Sequence, residues 1–220
     1  MTFWTSQKLE ERIEAEQIVA PFDKKKVDCA SYTLTLGGEA YITGEQTPGF
    51  LNRMFPCGNE IVAIPSGQFG FLICDEMIHI PKNAIGFISI KAAFKFNGLI
   101  NVSGFHVDPG YSGRLIFGVY NAGPSTIQLK HGQDLFLLFL SDLDADSGKS
   151  RIKPGYIDIA PAIRNGMSSR VRTIDELKED YDKLEKKVSG MLTRNSFFVA
   201  LLSGVLFLLA RLLFPGHSGG

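Results

Sequence analysis

The segment from Gly98 to Asn121, GLINVSGFHVDPGYSGRLIFGVYN, places the strongest constraint on how this chain can fold. Two apolar runs flank a glycine-rich centre, which predicts two strands joined by a tight reversal. Gly104, Gly110 and Gly113 supply positions of positive φ, and Pro109 fixes φ where the incoming strand ends. The segment therefore predicts a rigid β-arch that presents polar side chains.

Three side chains of this arch carry groups that bind or catalyse: the imidazole of His106, the carboxylate of Asp108 and the phenol of Tyr111. A rigid turn that holds such groups close together is a candidate active site. An aspartate before Pro-Gly is also ordinary turn chemistry, in which the carboxylate accepts hydrogen bonds from its own backbone. The residue pattern alone therefore leaves two interpretations open, a functional site and a structural turn.

Short apolar runs separated by glycine and proline turns continue on both sides of the arch. This pattern predicts a mainly β protein built as a barrel or jelly roll. A short N-terminal helix is expected first, capped by Thr5 or Ser6, with Leu9 and Ile13 on its inner face. Further strands are predicted at residues 30–37, 61–64, 67–74, 85–90, 125–132 and 135–140.

The composition limits the partners and the compartment. The 220 residues include 23 basic and 23 acidic side chains, so a net charge of zero provides no basic field and no nucleic-acid partner is expected. The three cysteines share no metal-ligand spacing, which indicates reduced thiols in a cytosolic domain. Residues 1–17 are charged and lack the apolar run of a signal peptide.

The central arch resembles the third sequence motif of the dCTP deaminase and dUTPase superfamily. The motif reads VDPGYSG at residues 107–113, followed at 115–121 by a strand, LIFGVYN, that ends in an aromatic residue and asparagine. The Asp-Pro-Gly form is similar to the dCTP deaminase branch. Residues 31–37, SYTLTLG, resemble the first motif, with Thr33 where aspartate is usual. The resemblance implies a distorted β-barrel domain at residues 1–143, usually a homotrimer with active sites between subunits.

The resemblance also implies a site for a deoxypyrimidine nucleoside triphosphate. Asp108 coincides with the dUTPase aspartate that orients or deprotonates the attacking water, beside Mg²⁺ bound through the substrate phosphates rather than at a protein metal site. Tyr111 matches the aromatic residue that lies beneath the deoxyribose. The substrate-binding residues expected from the resemblance are Lys91, Gly104, Phe105, His106, Val107, Tyr111 and Asn121.

Four positions besides Thr33 depart from the family pattern. dCTP deaminases carry a proton-shuttling glutamate on the strand after the arch, and Gly118 stands in its place. Alanines replace the serine hydroxyls expected after the phosphate-binding cation at Lys91, and Leu137 replaces the glutamine of the fourth motif. Glycine cannot transfer a proton, so the sequence argues against deamination. A small residue at position 118 is similar to the dUTPase pattern.

The C-terminal part of the chain changes character. Residues 144–169 are predicted to be a linker. Apolar residues at steps of three and four predict a coiled-coil helix at 170–192, with a lone amphipathic helix on the barrel as the alternative. The apolar run at 196–214 is long enough as a helix to cross roughly 27 Å of hydrocarbon, which predicts a transmembrane helix rather than a buried core helix. Basic residues before this run predict a single-pass tail anchor with the β-domain in the cytoplasm.

Three functions remain open from the sequence. The first is a membrane-anchored enzyme that binds and hydrolyses a deoxypyrimidine nucleoside triphosphate, with Asp108 positioning the water. The second is a catalytically degenerate nucleotide sensor that signals through its membrane helices in a defence or stress pathway. The third is a trimeric scaffold without a ligand. The intact Asp108 and Tyr111 favour the two nucleotide-binding hypotheses.

Overall fold

A computed structural model of the chain describes residues 2–43, 53–54, 61–149, 155–164 and 174–213. Contacts divide the chain into two units, Met1–Val171 and Arg172–Gly220. The first unit contains all the described strands and three short helices, and the second contains one long helix. The mainly β fold with helices at both ends of the chain is therefore confirmed.

The elements of the first unit follow one another with short connections. The helices are α1 (Ser6–Ala15), α2 (Ala92–Phe96) and α3 (Pro161–Arg164), with a 3-10 turn at Lys24–Lys26. The strands are β1 (Thr2–Phe3), β2 (Val19–Ala20), β3 (Val27–Asp28), β4 (Ser31–Ile42), β5 (Arg53–Met54), β6 (Ile61–Ile64), β7 (Phe69–Cys74), β8 (Met77–His79), β9 (Ala84–Ile90), β10 (Leu99–Asn101), β11 (His106–Val107), β12 (Ser112–Gly113), β13 (Ile116–Asn121), β14 (Ile127–Lys130) and β15 (Asp134–Asp142).

Ten of the described strands form one curled, barrel-like sheet. Its main path runs β10-β13-β7-β4-β15-β9-β11, with β1 paired to β15 and with β3 and β5 paired to β4. Two smaller sheets, β12-β8-β2 and β14-β6, lie off this path. The strands β11 and β12 of the arch belong to different sheets, so the turn between them passes from one sheet to the other.

The core of the sheet is apolar because alternate residues of its long strands point inward. The rings of Phe117 on β13 and Phe136 on β15 are fully buried and stack with centroids 3.7 Å apart. Leu34 on β4 and Leu138 on β15 are also completely buried. Burial of each such side chain contributes about 1.5–3 kcal/mol, so these strands form the rigid frame that positions the arch.

The N-terminal helix is fastened to the end of β15. Thr5 caps α1 by accepting a hydrogen bond from the Lys8 N–H, and Leu9 and Ile13 are buried as predicted. The fully buried Trp4 donates from Nε1 to an oxygen of Asp142, 2.9 Å away. The helix therefore closes one side of the barrel through both apolar and charged contacts.

The strand predicted to end at the Gly37-Gly38 pair continues to Ile42 as β4. Its register with β7 shifts between Leu36 and Ala40, so the glycines lie in an irregularity rather than in a terminal turn. A Cβ on Gly37 would lie 2.9 Å from the carbonyl atoms of Cys74. The first glycine is thus needed for close approach of two strands, which corrects the predicted strand end.

Part of the predicted linker packs against the barrel. Residues 155–164 include α3, and Ile159 is 1% exposed against Tyr41 and Ile73. Residues 150–154 and 165–169 of the predicted linker lie outside the described ranges.

The second unit is α4 (Ile174–Leu213), a continuous helix of 40 residues. One helix thus carries the described parts of both the predicted coiled coil and the predicted membrane segment. From Leu177 onward its described side chains are exposed, and one window has the length and a mean hydropathy of 2.2 that suit a membrane span. Residues 170–173, the side chain of Ile174, and Phe214 lie outside the described residues.

Candidate functional site

The arch is held by hydrogen bonds to two neighbouring strands. β11 pairs with β9, so that His106 lies opposite Phe87 and Val107 lies opposite Gly86. In the turn that follows, the Gly110 N–H donates to the Ile80 carbonyl at 2.8 Å, and the Ile80 N–H donates to the Tyr111 carbonyl at 2.9 Å. Gly110 has a φ of 77°, as the Asp-Pro-Gly sequence predicts. The backbone on both sides of Asp108 is therefore fixed.

The structure brings Asp108 and His106 together at the surface of this turn. Their Oδ1 and Nε2 atoms are 3.4 Å apart, and the two side chains are 45% and 44% exposed. Phe105 is 66% exposed and lies edge-on to the imidazole, with ring centroids 5.1 Å apart. A carboxylate with this exposure can contact both water and a ligand, which a general base requires.

Tyr111 has a different environment from the one the sequence suggests. The side chain is only 3% exposed, and its hydroxyl donates to the carbonyl of Arg114. The same hydroxyl accepts from the N–H of Tyr156, 3.4 Å away. The hydroxyl thus belongs to the internal hydrogen-bond network. Only the face of the Tyr111 ring is left to contact a sugar.

A small cavity, here called the Asp108 cavity, opens at the arch with a volume of about 120 Å³. Five of the predicted site residues are among those that line it. The lining comprises Ile88, Ser103, Gly104, His106, Val107, Asp108, Tyr111, Leu115, Ile116 and Tyr156. A Cβ built on Gly104 meets no atom within 4 Å, so this glycine faces open space. The predicted catalytic residue Asp108 therefore shares one cavity with four predicted substrate-binding residues, Gly104, His106, Val107 and Tyr111.

Lys91 lies at the far end of β9 from this cavity. Its N–H donates to the Leu135 carbonyl at 2.9 Å, and α2 begins at the next residue. Lys91 is four residues beyond Phe87, the pairing partner of His106, which corresponds to about 13 Å along a strand. A ligand that contacts Asp108 and Lys91 of one chain therefore has to extend along β9.

Asn121 has a structural role in this chain. The side chain is fully buried, and its Nδ2 donates to the carbonyls of Ile64 and Ser125 at 2.8 and 2.9 Å. Its Oδ1 accepts from the Gly123 N–H at 2.9 Å. The amide holds the end of β13 against the loop that follows, and its predicted contact with substrate stays a prediction.

Gly118, predicted from the resemblance to stand where deaminases carry a glutamate, lies in the middle of β13 opposite Phe71 of β7. A Cβ at this position would meet the ring atoms of Phe69 at 3.4 Å and of Phe71 at 3.6 Å. The two rings meet edge to face with centroids 5.0 Å apart. Aromatic rings therefore flank this glycine at ordinary contact distance, and the glycine itself has no side chain to transfer a proton.

The sequence analysis missed Tyr156 as part of this region because its neighbours in the chain read as a linker. In the structure, the N–H of Arg114 donates to the Tyr156 carbonyl at 2.6 Å, which makes an antiparallel bridge. A single aromatic residue after Pro154-Gly155, within a polar stretch, was the available signal.

Among the described residues, no group of three or more His, Cys, Asp or Glu side chains is arranged to hold a metal ion. The donor set at the arch, one carboxylate and one imidazole, suits Mg²⁺ only if a ligand supplies further oxygens. Mg²⁺ commonly binds in this way, through one or two carboxylates, substrate phosphates and water.

Comparisons with known proteins identify relatives over the barrel unit. A family model described as dCTP deaminase-like matches residues 3–143. The dCTP deaminase of Thermococcus kodakarensis is 30% identical over 122 residues, which cover 56% of this chain and 74% of that protein. The dCTP deaminase of Pyrococcus abyssi is 27% identical over 135 residues, 61% of this chain and 82% of that protein.

A solved structure has a similar fold. The 2′-deoxycytidine 5′-triphosphate deaminase from Agrobacterium tumefaciens superimposes with a TM-score of 0.52 and 14% sequence identity, covering 66% of this chain and 49% of that chain. This chain therefore spans about half the length of that protein. At 14% identity the likeness shows the fold alone.

Proposed function

Because the chain belongs to the dCTP deaminase-like family, we propose that it binds a deoxypyrimidine nucleoside triphosphate at the Asp108 cavity. The observation that carries the proposal is the placement of Asp108, half-exposed on a fixed turn, 3.4 Å from His106 and in a cavity that Tyr111 also lines. The exposed ring of Phe105 adjoins this pair and offers a surface for the nucleotide.

We propose hydrolysis as the reaction of this site. Asp108 orients a water molecule and accepts its proton as the water oxygen bonds to the α-phosphorus. The bond from that phosphorus to the bridging oxygen then breaks, and pyrophosphate leaves. Mg²⁺, bound through the phosphates, would neutralise their charge, and Lys91 adds a point charge for a phosphate chain that extends along β9.

Deamination is not part of the proposal. The strand that carries the proton-transferring glutamate in dCTP deaminases has Gly118 at that position, under the rings of Phe69 and Phe71. None of the described groups lining the Asp108 cavity replaces the glutamate on β13. The expected product from dCTP is therefore dCMP rather than dUTP.

The alternative function is nucleotide sensing without turnover. It is favoured by the replacement of the phosphate-binding hydroxyls by Ala92 and Ala93, and by the use of the Asn121 amide and the Tyr111 hydroxyl in internal hydrogen bonds. A sensor needs affinity but no base, so Asp108 would then serve only in binding. A scaffold without a ligand is the third function, and it predicts no binding at all.

We further propose that the chain acts as a homotrimer anchored in a membrane. The seam of apolar residues in α4 includes Leu177, Tyr181 and Leu184, which are 51–66% exposed in the single chain and would be covered by equivalent helices. The window of mean hydropathy 2.2 in the same helix supports a membrane span. Lys186, Lys187 and Arg194 precede the apolar run, which supports a cytoplasmic β-domain.

The test uses the full-length protein in nonionic detergent, incubated with Mg²⁺ and either dUTP or dCTP, with separation of the products. Asp108→Asn keeps the shape of the side chain and removes the base, so turnover should fall about a hundredfold to ten-thousandfold. Asp146→Asn, an exposed carboxylate of the loop after β15, is the matched control and should leave turnover unchanged. Conversion of dCTP to dUTP would contradict the role given to Gly118.

Binding measured by calorimetry separates the remaining functions. Heat of binding without turnover supports the sensor. If the protein neither binds nor hydrolyses dUTP and dCTP, the proposed nucleotide site is wrong. The scaffold without a ligand is then the supported function.

A further inference from the structure

The seam of α4 continues from the charged part of the helix into its apolar part. Steps of three and four residues lead from Val188 and Met191 to Asn195, Phe198 and Leu202. Because α4 is one continuous helix over these positions, the five side chains follow one stripe of its surface. Among these five positions only Asn195 is polar.

Asn195 belongs to a group of four consecutive polar residues at the start of the apolar run. The group comprises Thr193, Arg194, Asn195 and Ser196, and Phe197 follows it. Successive side chains of an α-helix are about 100° apart around the axis, so only one member of the group lies on the seam. The polar boundary thus contributes a single amide to the seam.

The amide of Asn195 is not engaged by its own helix. The hydroxyl of Thr193 donates to the Ser189 carbonyl at 2.9 Å, and the hydroxyl of Ser203 donates to the Ala200 carbonyl at 2.8 Å. In the described part of α4, no such bond involves the side chain of Asn195, which is exposed in the single chain. An amide without a partner at the edge of hydrocarbon costs free energy, so it favours a partner on an adjacent helix.

A second copy of the chain is a partner that fits this amide. Copies anchored by the same apolar run enter the membrane in the same direction, so their equivalent asparagines lie at the same height. An amide carries both N–H donors and a carbonyl acceptor, and identical amides therefore satisfy one another, whereas lipid tails offer neither group. In a ring of three copies, each Nδ2 donates to Oδ1 of the next chain, and every chain both donates and accepts.

We propose that Asn195 fixes the register of the three helices where they enter the membrane, and that the seam continues beyond it through Phe198 and Leu202. A polar residue at one core position of a coiled coil fixes the register and the number of chains in the same way. This inference rests on the proposed membrane-anchored homotrimer. It adds a residue that determines the register and a contact face within the membrane.

The same helix has a competing face. The small residues Ser196, Ala200 and Gly204 recur every four positions, a spacing that lets membrane helices approach closely. This face is rotated from the seam by about 100°. The two faces therefore predict different contacts between copies, which cysteine cross-linking distinguishes.

The first experiment maps the contact in the full-length protein in nonionic detergent, with Cys29 and Cys57 changed to serine and the buried Cys74 retained. Single cysteines are introduced on the seam by Asn195→Cys and Leu202→Cys. Thr193→Cys and Ala200→Cys are the matched controls on the other side of the helix. Oxidation by copper phenanthroline should join two chains at least about tenfold faster for the seam positions, because a disulfide needs Cα atoms within about 7 Å.

The second experiment tests the amide itself. Asn195→Leu, added to the chain that carries Leu202→Cys, keeps the seam apolar and removes the donor and the acceptor. It should slow cross-linking about threefold or more, the loss of association expected for one hydrogen bond between membrane helices. Ser196→Leu makes a similar polar-to-apolar change one residue off the seam and should leave the cross-linking rate unchanged.

Light scattering of the wild type separates this inference from the proposed assembly. A mass of three chains without faster cross-linking at the seam positions overturns the inference while the trimer stands, and cross-linking through Ala200→Cys then places the contact on the small-residue face. An unchanged or faster rate in Asn195→Leu overturns the role of the amide, and the trimer again stands. A mass other than three chains contradicts the proposed homotrimer, and the inference fails with it.

Discussion

Replacement of Asp142 by asparagine should destabilise the barrel unit by detaching its N-terminal helix. The carboxylate accepts from Trp4 Nε1 at 2.9 Å, forms an ion pair with Arg12 Nη1 at 3.1 Å, and also pairs with Lys8. Asparagine can keep the oxygen that Trp4 and Arg12 share, but it presents an NH₂ group to Lys8 and carries no charge for either cation. The substitution therefore removes two charge interactions with little change in volume.

The magnitude follows from the burial of this carboxylate. Its side chain is 30% exposed, between a surface ion pair and a buried one. Exposed pairs contribute about 0.2–1 kcal/mol, and breaking a buried pair costs about 3–5 kcal/mol. We expect a loss of about 2 kcal/mol, which for a unit of this length lowers the melting temperature by about 4–8 °C.

The pH dependence gives a second signature. Burial opposes ionisation of Asp142, but the hydrogen bonds from Lys8 and Trp4 and the charge of Arg12 hold its pKa below the ordinary value of 3.8. A carboxyl whose pKa is lowered by folding stabilises the protein above its unfolded pKa and loses that contribution as the pH falls through the folded value. The difference between wild type and Asp142→Asn should thus be full at pH 7 and should shrink below about pH 4.

Urea unfolding followed by Trp4 fluorescence is the direct assay, since the guanidinium of Arg12 lies 4.2 Å from the centre of that ring. Asp144→Asn, an exposed carboxylate two residues further along, is the control with the same charge change. A loss of stability no larger than that of the control, or a difference that grows in acid, would refute the reasoning.

Three further predictions concern the helix and the cysteines. Changing Leu177 and Leu184 to Asp should reduce the mass of the detergent-solubilised protein from three chains to one in light scattering, because like charges would meet in the seam; a wild-type mass of one chain contradicts the trimer. Full-length protein should sediment with membranes, whereas a chain ending at Met191 should not. Recovery of the full chain in the soluble fraction without detergent would contradict the predicted membrane anchor. Burial raises the pKa of the Cys74 thiol to about 12, and hydrogen bonding to its aspartate neighbour raises the pKa of the exposed Cys29. In a variant with the third cysteine changed to serine, maleimide should label Cys29 far faster than Cys74. The labelling rate of Cys29 should still rise with pH above 8.5, and equal labelling of the two cysteines would contradict the burial of Cys74.

The sequence was sufficient for features that arise from local chemistry. The Asp-Pro-Gly turn needs only the fixed φ of Pro109 and the positive φ of Gly110, and both are properties of the residues themselves. The cap of α1 at Thr5 is likewise a contact over three residues. The mainly β fold followed from the alternation of apolar residues, and the absence of a glutamate at Gly118 was evident from the sequence alone.

Tertiary structure decided which of these residues meet and what their polar atoms do. The Gly37-Gly38 pair was expected to end a strand, and only the approach of Cys74 to within 2.9 Å of a Cβ on Gly37 explains why it lies inside one. The amide of Asn121 is engaged by carbonyls of Ile64 and Ser125, which local sequence does not bring near.

The clearest case is Tyr156. The contacts of this residue with Tyr111 join positions 45 residues apart, so no spacing or periodicity in the sequence predicts them. Side-chain chemistry and local backbone preference are encoded within a few residues, whereas the walls of a cavity depend on which distant strands the whole barrel brings side by side. The sequence thus determined the arch and its carboxylate, and the tertiary structure decided the shape of the site around them.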